Sequence, residues 1–155
     1  MTLHIDTDRI RKEAHLKAPR SRVWGALTDH REFSEWFGVK LESPFAVRTT
    51  TKGHMTIPGY EHIRFEATVQ KLEPETYFSY TWHPYAIDPD VDYANETPTL
   101  VEFNLEEKDG GTLLTVIESG FAKLPAHRRD EAFRMNDDGW AQQLKDIEEH
   151  VTRAS

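Results

Sequence analysis

The chain has 155 residues, no cysteine and a formal net charge of −8. This length predicts one domain over residues 1–155, and the lack of cysteine excludes a disulfide framework, a thiolate zinc site and a cysteine nucleophile. Acidic residues spread along the chain repel phosphate backbones, which argues against nucleic-acid binding. No apolar run approaches the roughly 20 residues of a membrane span, and residues 1–6 lack the basic-then-apolar order of a signal peptide. We therefore expect a cytoplasmic protein with no membrane partner.

The N-terminal part of the chain predicts one strand followed by two short helices. Apolar and polar residues alternate over residues 9–18, as in a half-buried strand. Helical spacing then predicts a helix over residues 21–29 with Ser21 as its N-cap, and a second helix over residues 32–37 that is closed by Gly38. Two such short helices cannot form the crossover of a doubly wound sheet.

Strand signals dominate the middle of the chain. Alternation and β-branched residues predict strands over residues 45–52, 63–70, 78–83, 101–106 and 114–118. Lys52-Gly53 is typical of a turn, and Asp109-Gly110-Gly111 is a strong hairpin signal. Because short turns join the strands, we expect a mainly antiparallel meander.

The C-terminal segment, residues 125–151, predicts one long amphipathic helix. A step of 100° per residue gives it an apolar stripe made of Phe133, Trp140, Leu144, Ile147 and Val151. One long helix and one sheet predict an α+β architecture in which a curved antiparallel sheet grips the helix. Asn136 and Asp137 interrupt the stripe at its two edges. A polar patch on a buried helix face suggests a cavity beneath it.

Glu118 continues the inward-facing positions of the last strand, which otherwise carry leucine and valine. A carboxylate beneath a helix that presents Asn136 and Asp137 would be partly desolvated. Desolvation raises its pKa and makes it a candidate catalytic proton acceptor or donor. A structural role is equally open, in which it pairs with Arg129 or Arg134 or caps a backbone amide.

A connection of about fifteen residues, 83–98, breaks the pattern of short turns. Loops of this length are often lids or binding loops, so Tyr85 and Tyr93 could gate a cavity. Alternatively, prolines and tyrosines could pin the loop to the surface. The eight histidines show no metal-ligand spacing on a helix, and no glycine-rich loop opens a helix. The sequence therefore predicts no metal site and no cofactor.

Several stretches together resemble a known family. They are residues 20–24 with 36–37, residues 72–82, residues 111–121 and residues 139–147, and the most specific pair is Glu118-Ser-Gly-Phe121 with Gly139-Trp140. In this order they resemble the family homologous to the C-terminal domain of the activator of the Hsp90 ATPase, in the START/Bet v 1-like (SRPBCC) superfamily. The resemblance implies a helix-grip fold with a hydrophobic cavity between the sheet and the C-terminal helix.

The resemblance implies function only loosely, because fold alone does not assign it. Superfamily members bind apolar molecules or act as polyketide cyclases and aromatases, so we expect a binding protein for a small apolar or aromatic ligand. Its candidate ligand-binding residues are Phe37, Trp82, Tyr85, Tyr93, Val116, Glu118, Phe133, Asn136, Asp137 and Trp140. The alternatives are a cyclase- or hydrolase-type enzyme that uses Glu118 and a co-chaperone-like interaction module. A homodimer stays open, whereas chaperone binding is disfavoured because the chain lacks the co-chaperone's separate chaperone-binding domain.

Overall fold

A computed structural model of the protein describes residues 8–88 and 90–153. Residues 1–7, which carry the signal-peptide expectation, lie outside the described residues. So do residues 154–155 at the end of the predicted domain and Pro89 in the long loop.

Across the described residues, seven strands form one antiparallel sheet around a long helix. In chain order the elements are β1 (Arg9–Leu16), α1 (Arg20–Thr28), α2 (His30–Phe37), β2 (Val39–Leu41), β3 (Thr50–Met55), β4 (Arg64–Glu73), β5 (Tyr77–Trp82), β6 (Thr99–Lys108), β7 (Gly111–Ser119), a 3₁₀ turn (Phe121–Lys123) and α3 (Ala126–Thr152). The strand order is β1-β7-β6-β5-β4-β3-β2. Strands β2 to β7 thus form a meander, and β1 pairs with β7 at the opposite edge. This confirms the predicted α+β helix-grip architecture.

The core lies between the inner face of the sheet and α3. The large apolar side chains that the central strands bury are Phe78, Tyr80, Val101, Phe103, Leu114 and Val116. α3 covers them with the predicted stripe, whose buried members are Trp140, Leu144, Ile147 and Val151. Burying each such side chain stabilises the fold by about 1.5–3 kcal/mol. Packing of this stripe, more than intrinsic propensity, therefore holds the helix in place.

The two short helices form as expected, but the cap of the first differs. α1 begins after Pro19, whose carbonyl oxygen accepts two hydrogen bonds from the first turn, and Ser21 is not the N-cap. α2 is capped by Asp29, whose carboxylate accepts a hydrogen bond from the amide of Arg31 at 2.8 Å. Gly38 closes α2 in the left-handed conformation with φ 82°, as predicted. The capped helix places Phe37, its last residue, in the wall of the site described below.

The strand predicted over residues 45–52 is confirmed only at residues 50–52, which lie in β3, and residues 45–49 do not belong to a strand. Phe45 leaves the sheet and packs in the core against Phe33, with ring centroids 5.2 Å apart, so β3 begins later than predicted. The expected Lys-Gly turn is instead the middle of β3. There Gly53 has no side chain, which allows the carbonyl oxygen of Lys40 on β2 to approach. A Cβ at this position would overlap that oxygen, so the glycine serves strand pairing.

Candidate functional site

The centre of the candidate site is Glu118, near the end of β7, which is 0% exposed. Its Oε2 accepts hydrogen bonds from Trp82 Nε1 at 2.7 Å and from Thr99 Oγ1 at 2.6 Å. Its Oε1 accepts from Asn136 Nδ2 at 2.9 Å and from Trp140 Nε1 at 2.8 Å. The carboxylate thus links three strands to the middle of α3.

Local structure explains why these groups converge. Glu118 faces inward because it follows Leu114 and Val116 at a spacing of two on β7. Asn136 and Trp140 lie four residues apart on α3 and so share one helix face. The sequence predicted this inward carboxylate and the neighbouring helix positions, and the pattern of alternation was the signal that located them.

The electrostatics of Glu118 follow from its burial. Desolvation raises the pKa of this carboxyl above its ordinary value of 4.5, and the hydrogen bonds from its four neutral donors only partly offset that effect. Tyr80, also fully buried, has a pKa raised well above 10.0 by its own burial and by the negative charge of Glu118. The predicted alternative partner Arg129 donates instead to the carbonyl oxygen of Leu124.

The four donors occupy both oxygens of Glu118. A carboxylate offers about four lone-pair directions, so none of them is left for a substrate in this arrangement. A general base must reach the proton that it abstracts, and Glu118 does not reach the adjoining pocket. The arrangement instead orients two indole rings and one amide.

An apolar pocket of about 280 Å³ lies beside this cluster, between α3, the end of β5 and the β3–β4 connection. Its walls include Phe37, Met55, Ile57, Tyr60, Ile63, Phe65, Trp82, Tyr85 and Asn136. A smaller hollow of about 120 Å³ adjoins it and is lined by Phe37, Trp82, Asn136, Gly139, Trp140 and Gln143. The two spaces share Phe37, Trp82 and Asn136 as walls.

The predicted long loop borders the pocket and is pinned to α3 by Arg128. The guanidinium pairs with the Glu96 carboxylate at 2.6 Å and donates to the carbonyl oxygen of Pro84 at 2.9 Å. It also lies 4.8 Å from the ring centre of Tyr93. Both ionic side chains are largely buried, at 11% and 13% exposure. The loop thus carries Tyr85 to the pocket in a fixed position.

A larger and more polar hollow of about 370 Å³ adjoins the apolar pocket along this loop. The two spaces share six lining residues, which are Ile63, Arg64, Glu66, His83, Ala86 and Ile87. The walls of the larger hollow also include His62, Asp88, Asp92 and Tyr93. It touches neither Glu118 nor the side chains that hydrogen-bond to it. The apolar pocket is therefore the better candidate site, although it is the smaller of the two.

A known protein family matches most of the chain. The model for the activator of Hsp90 ATPase homolog 1-like proteins matches residues 17–152 of the chain. The chain belongs to this family. No curated protein matches the chain.

Solved structures agree with this family at the level of the fold. MLL2253 from Mesorhizobium loti is 24% identical, with a TM-score of 0.74 over 95% of this chain and 98% of that chain. The Aha1 dimer from Colwellia psychrerythraea is 17% identical, with a TM-score of 0.69 over 92% of this chain and 95% of that chain. DynU16, a protein of the dynemicin biosynthetic locus, is 22% identical, with a TM-score of 0.71 over 93% of this chain. The chain spans 47% of the length of DynU16.

In this family member, the structure brings together six of the ten residues that sequence reasoning proposed for the site. These are Phe37, Trp82, Tyr85, Glu118, Asn136 and Trp140. It also places residues there that the sequence did not single out, notably Thr99, Gln143 and the apolar side chains of the β3–β4 connection. The apolar run around Pro58-Gly59 was the available signal for that connection.

Four of the proposed residues lie elsewhere. Val116 is buried in the core, and Phe133 packs against Phe121 with ring centroids 5.2 Å apart. Asp137 pairs with Lys12 Nζ at 3.2 Å, because one residue beyond Asn136 the helix has turned by about 100°. Tyr93 lines the polar hollow rather than the apolar pocket.

Two further findings concern metal binding and membrane insertion. Within residues 8–88 and 90–153, no three histidine, aspartate or glutamate side chains come together as a metal-ligand set. No helix in the same part of the chain is long and apolar enough to cross a bilayer.

Proposed function

We propose that the protein binds a small, largely apolar aromatic molecule in the pocket beside Glu118. The observation that carries this proposal is the pocket itself, a mostly apolar concavity of about 280 Å³ with aromatic walls, whose polar lining residues are Arg64, Glu66, His83 and the amide of Asn136. Ligand sites are typically concave, mostly apolar and equipped with a few polar groups that orient the ligand. The exposed side chains of Ile57, Tyr60 and Ile87 surround the opening.

The size of the pocket restricts the ligand. An apolar cavity of about 150 Å³ accommodates benzene, so this pocket suits a molecule of roughly two fused rings. Phe37, Phe65 and Trp82 form edge-to-face contacts with centroids 5.3–5.9 Å apart. Such ring pairs favour aromatic guests, since a guest ring continues the same packing.

The pocket wall is also held rigid. Trp82 is fixed at its indole N–H by Glu118, and Asn136 is fixed by the same carboxylate. Side chains that are already ordered lose little conformational entropy when a ligand binds. The buried carboxylate therefore supports binding by organising the wall, without touching the ligand. The fold similarity to a protein of a biosynthetic locus adds support for a small-molecule role.

The test uses naphthalene and 2-methoxynaphthalene as probes, with melting temperature as the readout. Ala86 lines both the apolar pocket and the polar hollow, so Ala86→Phe obstructs both, whereas Ala94 lines the polar hollow and not the pocket, so Ala94→Phe obstructs the hollow. A ligand that binds the native state raises the melting temperature. We expect both probes to stabilise wild type and Ala94→Phe but not Ala86→Phe. Loss of stabilisation in both variants would place binding in the polar hollow. Equal stabilisation of all three proteins would place binding elsewhere, and no stabilisation of wild type would refute the proposal.

A further inference from the structure

The smaller hollow contains a buried polar atom that has no hydrogen-bond partner in the described part of the chain. Gln143 on α3 donates from Nε2 to the carbonyl oxygen of Phe37 at 3.4 Å. Its Oε1 is buried and, among the described residues, accepts no hydrogen bond. A buried polar group without a partner costs about 1–3 kcal/mol. Such an atom in the wall of a pocket marks where a ligand can supply the missing donor.

The orientation of the amide follows from its surroundings. The carbonyl oxygen of Phe37 can only accept, so the nitrogen of Gln143 must face it and Oε1 must face away. Asn136, which lines both spaces, is oriented by the same logic, because its nitrogen faces the carboxylate of Glu118. Each amide therefore keeps its oxygen available as an acceptor.

The other polar atoms of this wall are already engaged. Trp82 and Trp140 line the hollow, and both of their indole N–H groups donate to Glu118. Asn136 and Gln143 are seven residues apart, two turns of α3, so they lie on nearly the same helix face. The hollow thus combines aromatic walls with two amide oxygens, of which Gln143 Oε1 is buried and lacks a donor among the described residues.

We propose that this hollow receives the hydrogen-bond donor of the ligand, so that the protein selects aromatic molecules carrying a neutral O–H or N–H group. This rests on the proposed function of the neighbouring pocket and specifies its ligand class. An acceptor-only ring leaves Gln143 Oε1 unsatisfied. An anionic group placed in the hollow meets two amide oxygens and the negative charge of Glu118 nearby. It meets no cationic side chain among the described residues that line the hollow, because Arg64 lines the larger pocket instead. Acceptor-only and anionic rings are therefore bound more weakly.

The test compares two ligands with the same ring system, 2-naphthol and 2-methoxynaphthalene, by isothermal titration calorimetry. The methyl ether is the more apolar, so burial alone would favour it. We expect wild type to bind 2-naphthol about 3- to 10-fold more tightly, as one additional hydrogen bond provides. We also expect 2-naphthoate to bind more weakly than either compound.

The matched variants are Gln143→Met, which keeps the length of the side chain but has no amide oxygen, and Gln142→Met. Gln142 is the exposed neighbour that donates to Asp146. We expect Gln143→Met to lose the preference for 2-naphthol and to bind the methyl ether at least as tightly, while its melting temperature is unchanged or higher. We expect Gln142→Met to keep the preference of wild type. If wild type binds both compounds without preference, or if Gln143→Met keeps the preference, the inference is overturned and the proposed function stands. If wild type binds neither compound, both are overturned.

Discussion

Replacing Glu118 with glutamine exchanges one oxygen for an NH₂ group inside the hydrogen-bond cluster. The best orientation keeps the remaining oxygen toward Asn136 and Trp140, which can only donate through the groups that face it. The new NH₂ then faces Thr99, whose hydroxyl can turn to accept, and Trp82, whose indole nitrogen cannot. One indole N–H is left opposed to another donor. We expect the variant to lose about 1–3 kcal/mol of unfolding free energy, the cost of an unsatisfied buried group.

The pH dependence of this loss has a defined sign. Burial raises the pKa of Glu118 in the folded protein above its ordinary value of 4.5. Between those two values the folded protein binds more protons than the unfolded chain, so the stability contributed by this residue falls as pH rises. Glutamine does not titrate. The stability difference between wild type and Glu118→Gln is therefore largest below a pH of about 4.5 and decreases to a constant value above the folded pKa.

Urea unfolding of both proteins across this pH range measures the difference, and the contributions of all other acids cancel. A double-mutant cycle with Trp82→Phe isolates the cause, because that change removes the opposed N–H. We expect the loss of unfolding free energy in the double variant to be smaller, by about 1 kcal/mol or more, than the sum of the losses in the two single variants. A loss of unfolding free energy below about 0.5 kcal/mol would refute the reasoning, because it would mean that the cluster does not depend on these donors. A loss that grows as pH rises would also refute it, because it would mean that folding favours the ionised carboxylate.

Two further predictions concern the loop and the short helices. Arg128→Met should lower the unfolding free energy by about 1–3 kcal/mol and speed amide exchange in residues 83–98, because it leaves the largely buried Glu96 carboxylate unpaired. The neighbouring Arg129→Met should leave exchange in that loop unchanged, and equal acceleration in both variants would contradict this assignment. Burial acts to raise the pKa of Asp29, but two backbone amides that donate to its carboxylate outweigh that effect and leave its pKa below 3.8. Asp29→Ala should lower the unfolding free energy by about 1 kcal/mol near neutral pH. Urea unfolding should show this difference disappearing as acid protonates the carboxylate in the folded protein. A difference that persists in acid would argue against the cap.

Periodicity was sufficient to predict most of the fold. The stripe on α3 and the alternation along the strands depend on residues that are close in sequence, so the burial of each face could be inferred locally. Glu118 could be located by the same reasoning, since a charged residue at an inward position stands out against leucine and valine. Gly53 shows where this reasoning fails. A lysine-glycine pair is a common turn signal, yet the actual reason for glycine is a contact with Lys40 on another strand.

The walls of the site were harder to predict because they are made by contacts between distant segments. The β3–β4 connection contributes Ile57 and Tyr60, and nothing local reveals that it lies opposite α3. Val116 and Asp137 were assigned to the pocket because they share a strand face or a helix region with true neighbours of the site. Sequence patterns distinguish inside from outside, but they do not separate packed core from open cavity.

The central claim is that aromatic ligands bind beside Trp82 and Trp140, and the indole N–H resonances in a ¹H–¹⁵N NMR spectrum test it most directly. With saturating 2-naphthol, we expect the resonances of these two residues to shift, because a guest ring lies against their indoles. The resonance of Trp24, which lines neither space, should stay in place. If the signals of Trp82 and Trp140 do not move while calorimetry reports binding, the ligand binds elsewhere and the account is wrong.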